Sequence, residues 1–293
     1  MTTVVHQSTL SSTARDLVAL TKPRVTALVM ITTAGGMWLA PGSPGVGALW
    51  AAVLGTAFIV GSANALNCWI ERDLDRLMKR TANRPLPAGR LQPRVALGFG
   101  IALAVMAIPI LAFLVNPLTA LVGASALVTY VAIYTPMKQR SPAALLVGAV
   151  PGALPPLMGW TAITGRIDTP AIVLFGILFL WQLPHFIAIS LFRKRDYSNA
   201  GMKVLPAVRG DAVAKRHAIF WAAALLPVSL LLVPLGVAGN AYLVIASVFG
   251  VGYLGMSLRG LRKEAGPKWA RKLFIFSILY LTVVFAALMI DAV

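Results

Sequence analysis

The chain has 293 residues, 58% of them apolar and only 12% charged, with a mean hydropathy of +0.81. A soluble domain is about 45–50% apolar and about 25% charged, so this chain carries too little charge to cover a water-facing surface. That excludes a soluble enzyme and a disordered chain, and a single cysteine, Cys68, excludes a disulfide scaffold. The balance of 26 Lys+Arg against 9 Asp+Glu would suit a nucleic-acid partner. Its position argues otherwise: the positive charge lies in loops between long charge-free apolar runs, each able to cross a ~30 Å hydrocarbon layer as a helix. No nucleic acid is expected, and the lipid bilayer is the expected surrounding.

In chain order, residues 1–14 read as a flexible cytoplasmic tail and 15–293 as a single domain. Charge-free apolar runs predict nine transmembrane helices, at about 24–40, 47–69, 95–115, 118–136, 142–163, 171–192, 217–237, 240–258 and 273–291. The expected fold is all-α, a polytopic integral membrane protein whose helices bundle around a central cavity facing the cytoplasm. Basic residues alternate between the two ends of these spans. Arg15, Lys22 and Arg24 precede or open the first; seven follow the second; Lys138 and Arg140 follow the fourth; seven follow the sixth and six the eighth. Only Arg166 falls on the other side. Positive-inside bias then predicts a cytoplasmic N-terminus, an outside C-terminus and residence in the cell (inner) membrane. The charge serves topology, and its density suits anion binding as well.

The acidic residues are concentrated. Glu71, Asp73 and Asp75 lie within five positions at the end of the second span, after Asn67. Positions 67, 71 and 75 share one face of a continuing helix. An amide oxygen and two carboxylates in a row form a hard oxygen site suited to Mg2+, which keeps its remaining positions for water and phosphate. Arg72, Arg76, Lys79, Arg80 and Arg84 follow at once, and metal-binding carboxylates beside cations suit a diphosphate. Plain pairing of carboxylates with arginines is the alternative, although a helix C-terminus disfavours acidic side chains. Tyr134, Lys138 and Arg140 after the fourth span, Asp196 among cations after the sixth, and Lys22 with Arg24 at the first lie at the same membrane level. The last two also read as snorkelling anchors. His185, inside the sixth span, is a functional candidate by its position, or a group satisfying a carbonyl freed by Pro184. Cys68 reads as packing.

The stretch 67–90, Asn-x-x-x-Glu-x-x-x-Asp-Arg-x-x-x-Arg-Thr-x-x-Arg-Pro-Leu-Pro-Ala-Gly-Arg, resembles the first signature of the UbiA-type intramembrane prenyltransferases. Further stretches resemble the branch of that family that farnesylates heme: Leu20-Thr-Lys-Pro-Arg24, Glu71 in place of Asp, Tyr134-Thr-Pro-Met-Lys138-Gln-Arg140, Trp181-Gln-Leu-Pro-His185-Phe186, and Asp196-Tyr-Ser-Asn-Ala-Gly-Met with Leu205-Pro206. The resemblance spans roughly residues 14–290. One departure is plain: where the family carries a second Asp-x-x-x-Asp, this chain has Phe192 four positions before Asp196, which puts a second metal in doubt.

The resemblance implies nine helices and a cytoplasmic-side site. It implies transfer of the farnesyl group of farnesyl diphosphate to a vinyl carbon of heme b, with water addition, giving heme O and diphosphate. Mg2+ would sit on Asn67, Glu71 and Asp75, with Asp196 contributing to catalysis. Arg72, Arg76, Arg80, Arg84, Tyr134, Lys138 and Arg140 would take diphosphate oxygens. Trp181, His185, Lys22 and Arg24 would serve the heme pocket, His185 as a candidate iron ligand, with Lys22, Arg24 or the run Arg193, Lys194 and Arg195 as partners for the propionates. A heme A synthase is the partner that such a product suggests. A prenyltransferase acting on a quinone precursor or chlorophyllide shares the first signature, and a membrane transporter is the alternative from a different class.

Overall fold

The computed structural model describes residues 10–293, and these form helices joined by short turns. Of the expected tail, residues 1–9 lie outside the described part, while the chain is helical from Leu10 onward. Helix α1 (Leu10–Leu20) meets α2 (Pro23–Leu39) at a bend of 48°. The cause is local. Proline disfavours the right-handed helical region for the residue before it, and Lys22 instead adopts φ +51°, a left-handed conformation uncommon outside glycine. The Thr21 carbonyl at the bend accepts from the Thr26 hydroxyl at 2.7 Å and from Asn64 Nδ2 at 3.1 Å.

α3 (Val46–Ile70) runs through a single non-helical residue, Glu71, into α4 (Arg72–Arg76). α5 (Pro93–Leu114) and α6 (Pro117–Val128) follow, each with proline in its first turn, where a missing N–H costs nothing. A π-helical turn at Thr129–Tyr134 then leads into α7 (Thr135–Met137). α8 (Ala144–Thr164) and α9 (Thr169–Phe192) form the centre, followed by the short α10 (Lys194–Asn199) and α11 (Leu205–Val208). α12 (Asp211–Leu230), α13 (Asn240–Leu258), a 3-10 turn at Arg259–Leu261 and α14 (Pro267–Ile290) complete the chain.

α3 packs on α5, α2 on α8, α8 on α9, and α9 on both α12 and α14, with α13 closing the far side. The apolar stretch of α8 is 67% buried against 22% for α5, so α8 is the interior helix and α5 a peripheral one. α8 also holds three internal prolines, Pro151, Pro155 and Pro156. Backbone irregularity of this kind survives at membrane depth only where protein surrounds it, and Gln182 of α9 donates to the Ala149 carbonyl beside them at 2.9 Å. At the opposite end from α7 and α10, the Asp291 carboxylate accepts the Tyr242 N–H at 2.7 Å, tying the start of α13 to the end of α14.

Among the described residues, seven helices are long and apolar enough to cross a membrane, and the bent α1–α2 pair makes eight if it acts as one span. The expected nine are therefore not reached. The shortfall is α12, which covers most of the expected 217–237 span but starts six residues earlier and takes Asp211, Lys215 and Arg216 into its first turns. The chain is a multi-pass membrane protein by these helices, and its all-α class is as expected.

Candidate active site

The end of α3 carries the oxygen row. The hydrogen-bond ladder continues across the helix break, with Glu71 N–H on the Asn67 carbonyl at 2.9 Å and Asp75 N–H on the Glu71 carbonyl at 2.7 Å. The i, i+4, i+8 spacing therefore keeps its meaning, and all three side chains line one cavity. They are buried there, with Asn67 and Asp75 only 1% exposed. Buried polar and ionised groups need partners, and each of the three has a cation from a different part of the chain. Lys22 Nζ donates to Asn67 Oδ1 at 2.9 Å, Lys138 Nζ to Glu71 Oε1 at 2.8 Å, and Arg84 to Asp75 Oδ2 at 2.7 Å. Within the row, Asn67 Nδ2 donates to Glu71 Oε2 at 2.8 Å.

Local folding explains each arrival. The left-handed kink before Pro23 brings Lys22 to the cavity. Pro136 removes a helical rung after α6, and the Thr135 hydroxyl donates to the Tyr130 carbonyl at 2.8 Å while accepting from Asn67 Nδ2 at 3.2 Å. The π turn thus joins α6 directly to the oxygen row, as such turns often do at functional sites. Tyr130, Tyr134 and Lys138 all reach the cavity, with Lys138 Nζ 4.5 Å from the centre of the Tyr134 ring. Burial works against the Lys138 ammonium, but Tyr134, Glu71 and Tyr130 outweigh it and hold the amine above its ordinary range. Arg84 is held by a loop whose Thr81 hydroxyl donates to the Asp75 carbonyl at 2.9 Å.

The cavity has a volume of about 810 Å³, ample for a large ligand. Aromatic and apolar side chains complete its lining, with Phe186 and Phe192 from α9 and Phe274 and Ile275 from α14. The Lys203 N–H donates to the Lys138 carbonyl at 2.9 Å, joining the segment after α9 to the one after α7.

Several expected site residues sit elsewhere. Arg72 donates to the Trp69 carbonyl at 2.8 Å and, with Arg76, faces exposed Asp73 rather than the cavity, because the helix turns these positions away from the 67–71–75 face. Arg140 and Arg24 are exposed and off the cavity wall. Asp196 is exposed and pairs with Arg193 at 3.2 Å; it lines a small cleft shared with Arg80 and Tyr197. Burial lifts the Tyr197 phenol above its usual range, with Arg80 pulling the other way. Trp181 and His185 lie one layer behind the wall. Trp181 Nε1 donates to the Ser277 carbonyl at 2.6 Å, and His185 stacks on Trp181 and meets Phe274 at a tilt, with ring centres 5.0 and 4.8 Å apart. The Ser277 hydroxyl is spent on the Phe274 carbonyl, so His185 Nδ1–H donates to Ser277 Oγ at 2.7 Å. The freed-carbonyl role for this histidine is thereby replaced by a link to α14. Cys68 packs with Leu20, Leu86 and Leu91, as expected of a packing residue.

Sequence reasoning missed Asn64, Tyr130, Thr135 and Arg271. An amide inside an apolar run could have marked Asn64, and the spacing 130–134–138 could have marked Tyr130. Nothing in the sequence singles out Arg271.

As a metal site the row fits a hard divalent cation. It offers two carboxylates and one amide, all oxygen, at a cavity that holds room for phosphate and water. The amide is essential to that count, since among the described residues no three His, Cys, Asp or Glu side chains gather for a metal.

Residues 29–279 match the model of the UbiA prenyltransferase family. The chain belongs to the UbiA prenyltransferase family. Among curated UbiA-related sequences, the protoheme IX farnesyltransferase of Anaeromyxobacter sp. (strain Fw109-5) is 54% identical over 279 residues, covering 95% of this chain and 94% of that protein. The protein of the same name from Myxococcus xanthus (strain DK1622) is 52% identical, covering 97% of each. A solved digeranylgeranylglyceryl phosphate synthase matches the fold with a TM-score of 0.83 at 17% identity, over 95% of this chain and 98% of that one. A UbiA homolog from Archaeoglobus fulgidus, solved with GPP and Mg2+, matches with a TM-score of 0.68 at 18% identity, over 93% and 99%.

Proposed function

We propose that this protein transfers the farnesyl group of farnesyl diphosphate to a vinyl carbon of heme b, with addition of water, releasing heme O and diphosphate. The observation that carries this reading is one cavity with two unlike sets of lining residues: a buried oxygen row with its cations, and a group of phenylalanines. The names and near-complete coverage of the farnesyltransferase relatives supply the substrates.

Asn67, Glu71 and Asp75 would hold Mg2+, which when bound supplies neutralising charge to a departing diphosphate. Lys22, Arg80, Arg84 and Lys138 line the same cavity and would take diphosphate oxygens. Three of them would exchange their present partners on the row for the substrate. The allylic C–O bond breaks with its electron pair leaving on diphosphate, and the vinyl π electrons close the new C–C bond. Water then adds to the porphyrin-stabilised cation and loses a proton. Tyr130 and Tyr134 border the cationic end, where their rings stabilise an allylic cation and exclude bulk water. Arg72, Arg76 and Arg140 are not given diphosphate contacts in this reading, because they face away from the cavity.

Basic-residue placement supports a cell-membrane location with the N-terminus and the cavity on the cytoplasmic side and the C-terminus outside. A heme A synthase would consume the product. The test is a purified preparation given farnesyl diphosphate and Mg2+ with heme b, a quinone precursor or chlorophyllide in parallel. Diphosphate release coupled to a farnesylated, hydrated heme mass is expected. Prenylation of another acceptor with heme untouched would overturn the reading.

A further inference from the structure

Resting on the proposed use of heme b, we infer that Arg193 and Arg271 form the recognition site for the acceptor's two carboxylates. Both line the cavity, at the start of the segment after α9 and in the first turns of α14. Their guanidinium carbons converge on one ring, lying 5.9 and 5.8 Å from the centre of Phe192. They line the cavity along with Phe186, Phe274 and Ile275, and neither is bonded to the oxygen row.

Pairing distinguishes these two from the cations bonded to the row, and Arg193 also lines the small cleft that holds Arg80. Lys22, Lys138 and Arg84 are each engaged by a side chain of the row. Arg193 holds only the exposed Asp196, and Arg271 has no carboxylate partner among the described residues. Planar guanidinium groups match carboxylates with paired hydrogen bonds. Protoheme carries its two propionates on one edge of a flat macrocycle and its vinyl groups on the remaining pyrroles. A macrocycle laid on Phe186 and Phe274 presents its propionate edge to these arginines. The same pair sets specificity, since an acceptor without two carboxylates on one edge leaves both guanidinium groups unpaired.

The experiment is an absorbance titration, in a neutral detergent, of wild type and of Arg193→Gln/Arg271→Gln with ferric heme b and with its dimethyl ester. Binding of farnesyl diphosphate is measured in parallel by calorimetry. Wild type should prefer the free acid by about tenfold or more, the scale of charge-assisted hydrogen bonds. The double variant should bind acid and ester alike, with farnesyl diphosphate affinity unchanged. An intact preference in the variant overturns the inference, as does loss of farnesyl diphosphate binding, which would place these residues at the diphosphate. Wild type giving no spectral change with heme b would instead overturn the acceptor assignment itself.

Discussion

At the scale of single residues, the site is a set of buried charges that hold one another. Asp75 is 1% exposed and rests on Arg84 at 2.7 Å. Removing one member of such a pair strands the other. Asp75→Ala is expected to lower turnover by about 10²–10³-fold or more, in line with the loss of one preorganised charge-stabilising group, while the protein still inserts into membranes. Near-normal product formation by this variant with Mg2+ chelated would contradict a metal at the row. His185 is a different kind of residue. It reaches the cavity through Phe274 and Phe186, whose rings it meets, and through Ser277, whose hydroxyl also holds the Phe274 carbonyl. His185→Ala should therefore shift the aromatic wall and weaken heme binding, read as a displaced titration and altered heme spectrum. Unchanged titration and spectrum would make His185 a link between α9 and α14 and nothing more.

At the scale of elements, α1 does more than lead into the bundle. Arg90 Nε and Nη2 meet the Asp16 carboxylate of α1 at 3.2 to 3.3 Å, and Arg90 Nη1 donates to the Asn83 carbonyl at 3.1 Å. Asn83 directly precedes Arg84, so the clasp fixes the stem of the side chain that meets Asp75. Exposed pairs contribute about 0–1 kcal/mol, and Asp16 is 13% exposed against 47% for Arg90. The expected effect is on position more than on stability. Asp16→Arg should raise the KM for farnesyl diphosphate several-fold with little change in thermal stability, and Asp16→Arg/Arg90→Asp should restore it. A swap that rescues nothing would show that the loop holds Arg84 without α1.

At the scale of the whole molecule, α2 reaches the site because it crosses α8 at backbone contact. A Cβ on Gly159 would meet the Thr33 carbonyl, and one on Gly36 the Pro156 carbonyl. Without a hydrophobic drive between helices in lipid, such small-residue contacts are what bring helices together. Gly159→Leu should cost about 3 kcal/mol or more, since backbone on both sides cannot yield, and should lower the melting temperature in detergent. Gly98→Leu on α5, where nothing lies within 4 Å, is the control and should melt like wild type.

The sequence by itself determined that the chain lives in a bilayer, because 12% charge cannot solvate 293 residues, and that Asn67, Glu71 and Asp75 share a face, because helical periodicity is local. It also placed most helix positions, since proline and glycine punctuate them. It misjudged α12, whose charged first turns extend an apolar run, and gave no sign of α1. Only the tertiary structure decided which of many similar cations meet the row. Periodicity fixes neighbours within one helix, whereas the meeting of Lys22, Arg84 and Lys138 depends on a kink before Pro23, a stitched loop and a π turn. The same packing turned Arg72 and Arg76 outward, set His185 behind Phe274, and brought Arg271 from the last helix to the cavity rim. Contacts between residues two hundred positions apart are set by how helices cross, which no single segment of the chain encodes.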